Sequence, residues 1–205
     1  MTLCNRAASR WTFGVLFLVL SLCLTNPLES REFRTLDPSG VWKSLHGVLS
    51  LMLTGDALSF SYSAVFGATA HLCDGVGVAG LVADNEYHYV DEQGTVAFII
   101  GENGLKMQTI KGIPSFCGAN WPGEEFTREG YESVGRCRVA DAKAHFYVVR
   151  PPPPLKRKAY VLKEDRVEVV PACFEGGDAW VLARFTGAKA TTVGLLQKNA
   201  LDCLK

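Results

Sequence analysis

The stretch Val48–Ala64, VLSLMLT-GD-ALSFSYSA, decides the fold class. In an extended chain Leu49, Leu51 and Leu53 fall on one face. Gly55-Asp56 then supplies a turn, and Leu58, Phe60, Tyr62 and Ala64 resume the alternation. A period of two broken by a glycine-containing pair is the pattern of a β-hairpin. Working outward, strand-like runs recur at Ala68–Leu72, Val76–Val82, Glu86–Val90, Thr95–Ile100 and Leu105–Ile110. Turns are expected at Asp74-Gly75, Asp84-Asn85, Gln93-Gly94 and Asn103-Gly104. Short strands at this even spacing predict an antiparallel meander that closes into a barrel or sandwich.

A second set of strand-like runs covers Phe146–Val149, Ala159–Leu162, Arg166–Val170, Ala179–Phe185 and Thr191–Leu195, with a short helical turn near Gln197–Leu201. Between the two sets, Gly123 to Gly135 is rich in Gly, Glu and Arg. The chain therefore reads as all-β, with one module at 36–126, a linker at 127–136 and a second module at 137–205.

Composition narrows the function classes. The 205 residues hold 21 Lys+Arg against 21 Asp+Glu, so no basic excess points to nucleic acid or to a polybasic membrane-surface protein. Hydrophobic residues at 48% supply enough apolar side chain for a packed core and exclude global disorder. The start of the chain is read apart from the fold. Arg6 and Arg10 precede the apolar run Phe13–Leu24 (FGVLFLVLSLCL), the pattern of a secretory signal over residues 1–30. A lipid anchor at Cys23 is the alternative, with the large Leu22 against it. The expected location is thus periplasmic or secreted. There the five cysteines beyond residue 30 read as disulfides with one thiol left over.

The second block resembles a bacterial SH3-like domain. The resemblance rests on Lys163-Glu164-Asp165-Arg166-Val167-Glu168-Val169, Gly177-Asp178-Ala179-Trp180, Thr192-Val193-Gly194-Leu195-Leu196 and Lys198-Asn199-Ala200-Leu201. Glu164 replaces the usual turn glycine, and Leu195 stands where Trp is common. The resemblance implies an SH3-like barrel with an exposed aromatic groove, which nominates Phe146, Tyr147 and Trp180 as binding residues. Strand alternation buries one of Phe146 and Tyr147. First and last strands are neighbours in such a fold, which implies a Cys137–Cys203 bridge. Loop-closure entropy is nearly the same for any pairing of Cys137, Cys173 and Cys203. Pro151–Pro154, followed by Leu155-Lys156-Arg157-Lys158, could be read as a polyproline ligand, but it falls in a long loop of this fold, which four prolines would stiffen.

The first block resembles a small β module of uncharacterised bacterial envelope proteins, some of which accompany lysozyme-inhibitor-like proteins. Ala64 to Cys73 and Phe116-Cys117-Gly118-Ala119-Asn120-Trp121 carry that resemblance, which implies a Cys73–Cys117 disulfide. His71 with Cys73 and Cys117 lacks the paired ligand spacing of a zinc site. A Cys117 nucleophile with His71 as base would need a free thiolate. Glu124 and Glu125 are adjacent, so they point differently and do not make a hydrolytic carboxylate pair. No cofactor or metal is expected, and no catalytic motif is present.

The leading expectation is a non-enzymatic binding protein. Its partner would be a cell-wall glycan, peptide or envelope protein, held by Phe146, Tyr147 and Trp180, with Trp121 in a second loop. Nucleic acid is not expected, and membrane contact is expected only through the N-terminal signal or a lipid anchor. One alternative is a lysozyme-type inhibitor acting through Cys117–Trp121. Another is a cell-wall enzyme with an unrecognised site.

Overall fold

The computed structural model describes residues 35–68, 70–118 and 121–203. The expected signal segment lies outside them. Residues Phe33–Lys205 form one compact unit, and its two sheets are built entirely from antiparallel pairs. The protein is all-β, as the alternation predicts.

The first sheet has nine strands: β1 (Gly40–Lys43), β2 (Gly47–Thr54), β3 (Ala57–Phe66), β4 (His71–Ala83), β5 (Glu86–Val90), β6 (Gly94–Ile100), β7 (Gly104–Gly112), β8 (Glu124–Thr127) and β9 (Tyr131–Glu132). Strands β1 to β8 form a continuous meander, and β9 returns to the free edge of β1. A 3₁₀ turn, Arg128–Gly130, links β8 to β9, where Trp42 pairs with Tyr131. The sheet is thereby bent into a nearly closed barrel. Its interior is the face carrying Leu49, Leu51, Leu58, Phe60 and Tyr62, joined by Trp42, Tyr87 and Phe98, all fully buried.

Two features differ from expectation, each for a packing reason. Asp74-Gly75 lies inside β4 and turns nothing. Gly75 and Gly77 serve packing here: a Cβ at Gly75 would lie 2.8 Å from the Phe116 ring, and one at Gly77 would lie 2.6 Å from Tyr89. These glycines let aromatic rings approach the strand more closely than a Cβ would allow. The segment 127–136, expected as a linker, instead carries the 3₁₀ turn and β9, which pairs with β1 and completes the barrel.

The second sheet has seven strands: β10 (Gly135–Val139), β11 (Lys143–Tyr147), β12 (Lys156–Leu162), β13 (Arg166–Pro171), β14 (Trp180–Thr186), β15 (Thr191–Gln197) and β16 (Leu201–Cys203). Their order is β12-β11-β15-β14-β13-β10-β16, a half-barrel over Val139, Phe146, Val161, Val181 and Leu196. Cys137 faces Cys203 across β10 and β16, and the two are bonded. Cys73 is bonded to Cys117. Two intramolecular disulfides fit an oxidising environment.

The half-barrel packs on the outer face of the barrel. Val41, Met52 and Val76 meet Val170, Phe174, Leu182 and Leu195 in one apolar cluster. That contact buries Ser50 and Ser61, whose alternating positions would otherwise face water.

Candidate functional site

A cavity of about 520 Å³ opens where the half-barrel meets β4. Three segments build it. The first is the turn before β14. Gly176 has φ of 75°, a left-handed backbone that favours glycine, and Gly177 N–H donates to the Phe174 carbonyl at 2.7 Å. A Cβ at Gly177 would lie 2.7 Å from the Ala172 carbonyl, so the turn fits only a residue without one. This tight turn sets Phe174, Glu175 and Trp180 along one wall.

The second segment is the loop leaving β11. Val148 N–H donates to the Leu155 carbonyl at 2.8 Å, closing the loop at its base. Between them the proline run needs no backbone donors, and Pro151, Pro152 and Pro154 line the cavity. Tyr147, the last residue of β11, meets Trp180 edge-to-face, with ring centres 4.8 Å apart. The third segment is β4, which contributes Val76 and Asp74.

The lining is electrostatically one-sided. Asp74 and Glu175 contribute carboxylates, and among the described residues no Lys, Arg or His lines the cavity. Asp74 Oδ1 is buried and has no hydrogen-bond partner among the described residues. An underused carboxylate beside an indole face favours a cation, which both the charge and the ring quadrupole attract.

Cys173 is the free thiol next to this wall. Its N–H donates to Ser61 Oγ at 2.6 Å, and its Sγ lies 3.5 Å from Ser50 Oγ. Burial pushes the thiol above its ordinary value of 9.0. The Asp74 charge adds to that rise, and the Ser50 hydrogen bond opposes it.

Of the residues nominated from the sequence, the structure brings Tyr147 and Trp180 together. Phe146 is a correction: it is fully buried in the half-barrel core, on the opposite face of β11, and cannot line a groove. Trp121 is another. It is 7% exposed and packs against Tyr62 and Phe116 inside the barrel. Glu124 is likewise turned inward, accepting the Tyr62 hydroxyl at 2.6 Å. Only Gly118, Pro122, Gly123 and Glu125 of the described residues between Cys117 and Glu125 retain substantial exposure. His71 is exposed and stacks on Phe66. Among the described residues no three of His, Cys, Asp and Glu gather into a metal-sized group.

Sequence reasoning missed Asp74, Val76, Phe174 and Glu175. The Glu175-Gly176-Gly177 turn before Trp180 was a usable signal for two of them. Nothing in the sequence placed β4 beside that turn. Comparison with protein-family models, curated proteins and solved structures finds no match for the chain.

Proposed function

We propose that the protein is a non-enzymatic binding protein of a periplasmic or secreted setting, and that it takes a peptide segment bearing a cationic side chain. The segment, from a cell-wall peptide or an envelope protein, lies between Trp180 and the Pro151–Pro154 loop. The observation that carries this reading is the edge-to-face Trp180–Tyr147 pair beside a cavity whose charged lining residues, Asp74 and Glu175, are both acids. Rigid aromatic and proline walls lose little conformational entropy on binding, and a crevice between packed modules is a favoured ligand position. The resemblance of the second block to SH3-like domains supports the same groove. The signal-like N-terminus and two disulfides support export.

The test is retention on purified cell-wall fragments and on immobilised lysine-containing peptides, with Trp180→Ala, Asp74→Asn and wild type side by side. The expected result is a loss of at least roughly tenfold in affinity for Trp180→Ala at an unchanged melting temperature. Equal retention of wild type and Trp180→Ala, or retention of neither, overturns the reading.

A further inference from the structure

The zero net charge of the whole chain conceals two opposed halves. Residues 35–134 carry four Lys and Arg against twelve Asp and Glu, whereas residues 135–203 carry twelve against seven. Within the second half the bases are concentrated. Residues 143–163 contain Lys143, Arg150, Lys156, Arg157, Lys158 and Lys163 and no acid. All six are exposed. None forms an ion pair among the described residues, whereas Arg138 and Arg184 of the same sheet do.

This segment is the β11–β12 hairpin, and β12 is an edge of its sheet. Its face turned away from the core is not purely basic. Lys143 stands opposite Leu162 and His145 opposite Tyr160, while Ala144, Phe146 and Val161 are buried on the other face. Lys143 Nζ lies 3.9 Å from the centre of the Tyr160 ring. Tyr160, Leu162 and Leu155 are about half exposed, at 48%, 51% and 52%. Bases are thus interleaved with one aromatic and two aliphatic side chains that stay about half exposed, Tyr160 lying between Lys143 and His145.

We infer that the β11–β12 hairpin is a docking surface for an anionic phospholipid bilayer. Anionic headgroups attract these six bases, whose charges no carboxylate among the described residues neutralises. Tyr160 suits the boundary between headgroup and hydrocarbon, and the leucines enter the outermost acyl region. The aliphatic residues select this occupant. A nucleic acid uses bases and aromatic faces and offers nothing to Leu155 and Leu162. The acidic barrel would be repelled by the same surface, so the charge division also orients the protein with its hairpin toward the membrane. This inference is independent of the crevice reading, since Trp180 and Asp74 take no part in it.

The test is co-sedimentation of the purified protein with phosphatidylcholine vesicles, with and without about one third phosphatidylglycerol. Every variant keeps the same N-terminus, so any contribution of residues 1–34 cancels. The expected result is binding to the anionic vesicles that weakens with salt. Lys156→Glu with Lys158→Glu should weaken it by more than roughly tenfold. Leu155→Ser with Leu162→Ser should lower the salt-resistant part, with circular dichroism unchanged for both variants. Equal sedimentation with the two vesicle types overturns the inference. So does binding that is indifferent to the leucine pair and matched by duplex DNA, which would make the hairpin a general polyanion site. Salt-labile oligomers without vesicle binding would assign the face to a second copy of the chain and overturn it as well.

Discussion

Arg184 of the half-barrel reaches across to the irregular segment that precedes β1, where its Nη1 lies 3.2 Å from Asp37 Oδ2. The same nitrogen donates to the Leu53 carbonyl at 2.9 Å, and Nε pairs with Glu168 at 2.7 Å. Arg184 therefore ties the two sheets together at a point where its side chain is only 15% exposed. Arg184→Met keeps much of the packing and removes the guanidinium, leaving the Leu53 carbonyl and Glu168 without their partner. The expected cost is about 2–4 kcal/mol in chemical denaturation. A cost below about 0.5 kcal/mol would show that the apolar interface alone holds the sheets.

The same clamp gives an acid limb. Burial tends to raise the Asp37 carboxyl, but hydrogen bonds from Ser39 and the Arg184 charge outweigh it, and the value falls below the ordinary 3.8. A carboxyl depressed in the folded state contributes stability that is present above its unfolded value and is lost as pH falls through its folded value. Stability should therefore decline below about pH 4. Asp37→Asn should flatten that part of the curve while leaving the neutral region less changed. Asp37 is half exposed, so the effect is modest. Denaturant midpoints between pH 2 and 7 measure it.

The alternation in β2 and β3 made the hairpin legible because one face of each strand is uniformly apolar. The other face was not legible. The alternation puts Ser50 and Ser61 on the outward face, yet the half-barrel covers them: Cys173 Sγ lies 3.5 Å from Ser50 Oγ, and the Cys173 N–H donates to Ser61. Polar residues that are buried by a distant part of the chain carry no local mark. Asp74-Gly75 misled for a related reason: a glycine beneath an aromatic ring and a glycine in a turn are the same letter. Tyr147 and Trp180 were found through a resemblance, whereas Asp74 depends on the packing of two sheets. The basic hairpin leaves no mark on the net charge, because the acids of the barrel balance it.

Tyr62 and Glu124 lock the end of the barrel. The Tyr62 hydroxyl is buried, and burial followed by the Glu124 carboxylate pushes its ionisation far above the ordinary 10.0. In a spectrophotometric titration at least one tyrosine should remain un-ionised through pH 11, until the fold opens. Tyr62→Phe strips a nearly buried carboxylate of its donor and should cost about 1–3 kcal/mol. Full tyrosine ionisation in a single step near pH 10, in folded protein, would contradict the buried pair.

The Cys73–Cys117 bridge closes a sequence separation of 44 residues and joins β4 to the segment that carries Phe116. In the chain-entropy description, a loop of this size lowers the freedom of the unfolded chain by about 4 kcal/mol. Cys73→Ala with Cys117→Ala should therefore lower stability by roughly 2–4 kcal/mol in denaturant melts. Reduction of wild type should bring a similar loss. A double variant as stable as wild type would show that the meander closes without its cross-link.

Cys173 offers a probe of the crevice that needs no known ligand. Its thiol is raised first by burial and then by the nearby Asp74 charge, so little thiolate exists at neutral pH. Alkylation by iodoacetamide should be slow at pH 7 and should accelerate only above the ordinary thiol value of 9.0. Asp74→Asn removes a negative charge and should lower the thiol value, increasing the alkylation rate at fixed alkaline pH by less than roughly tenfold. A cationic peptide lodged beside Asp74 would offset the same charge and shift the pH profile in the same direction, unless it also shields Cys173. An Asp74→Asn profile identical to wild type would mean that the carboxylate does not reach the thiol, and would remove Asp74 from the wall on which the binding proposal depends.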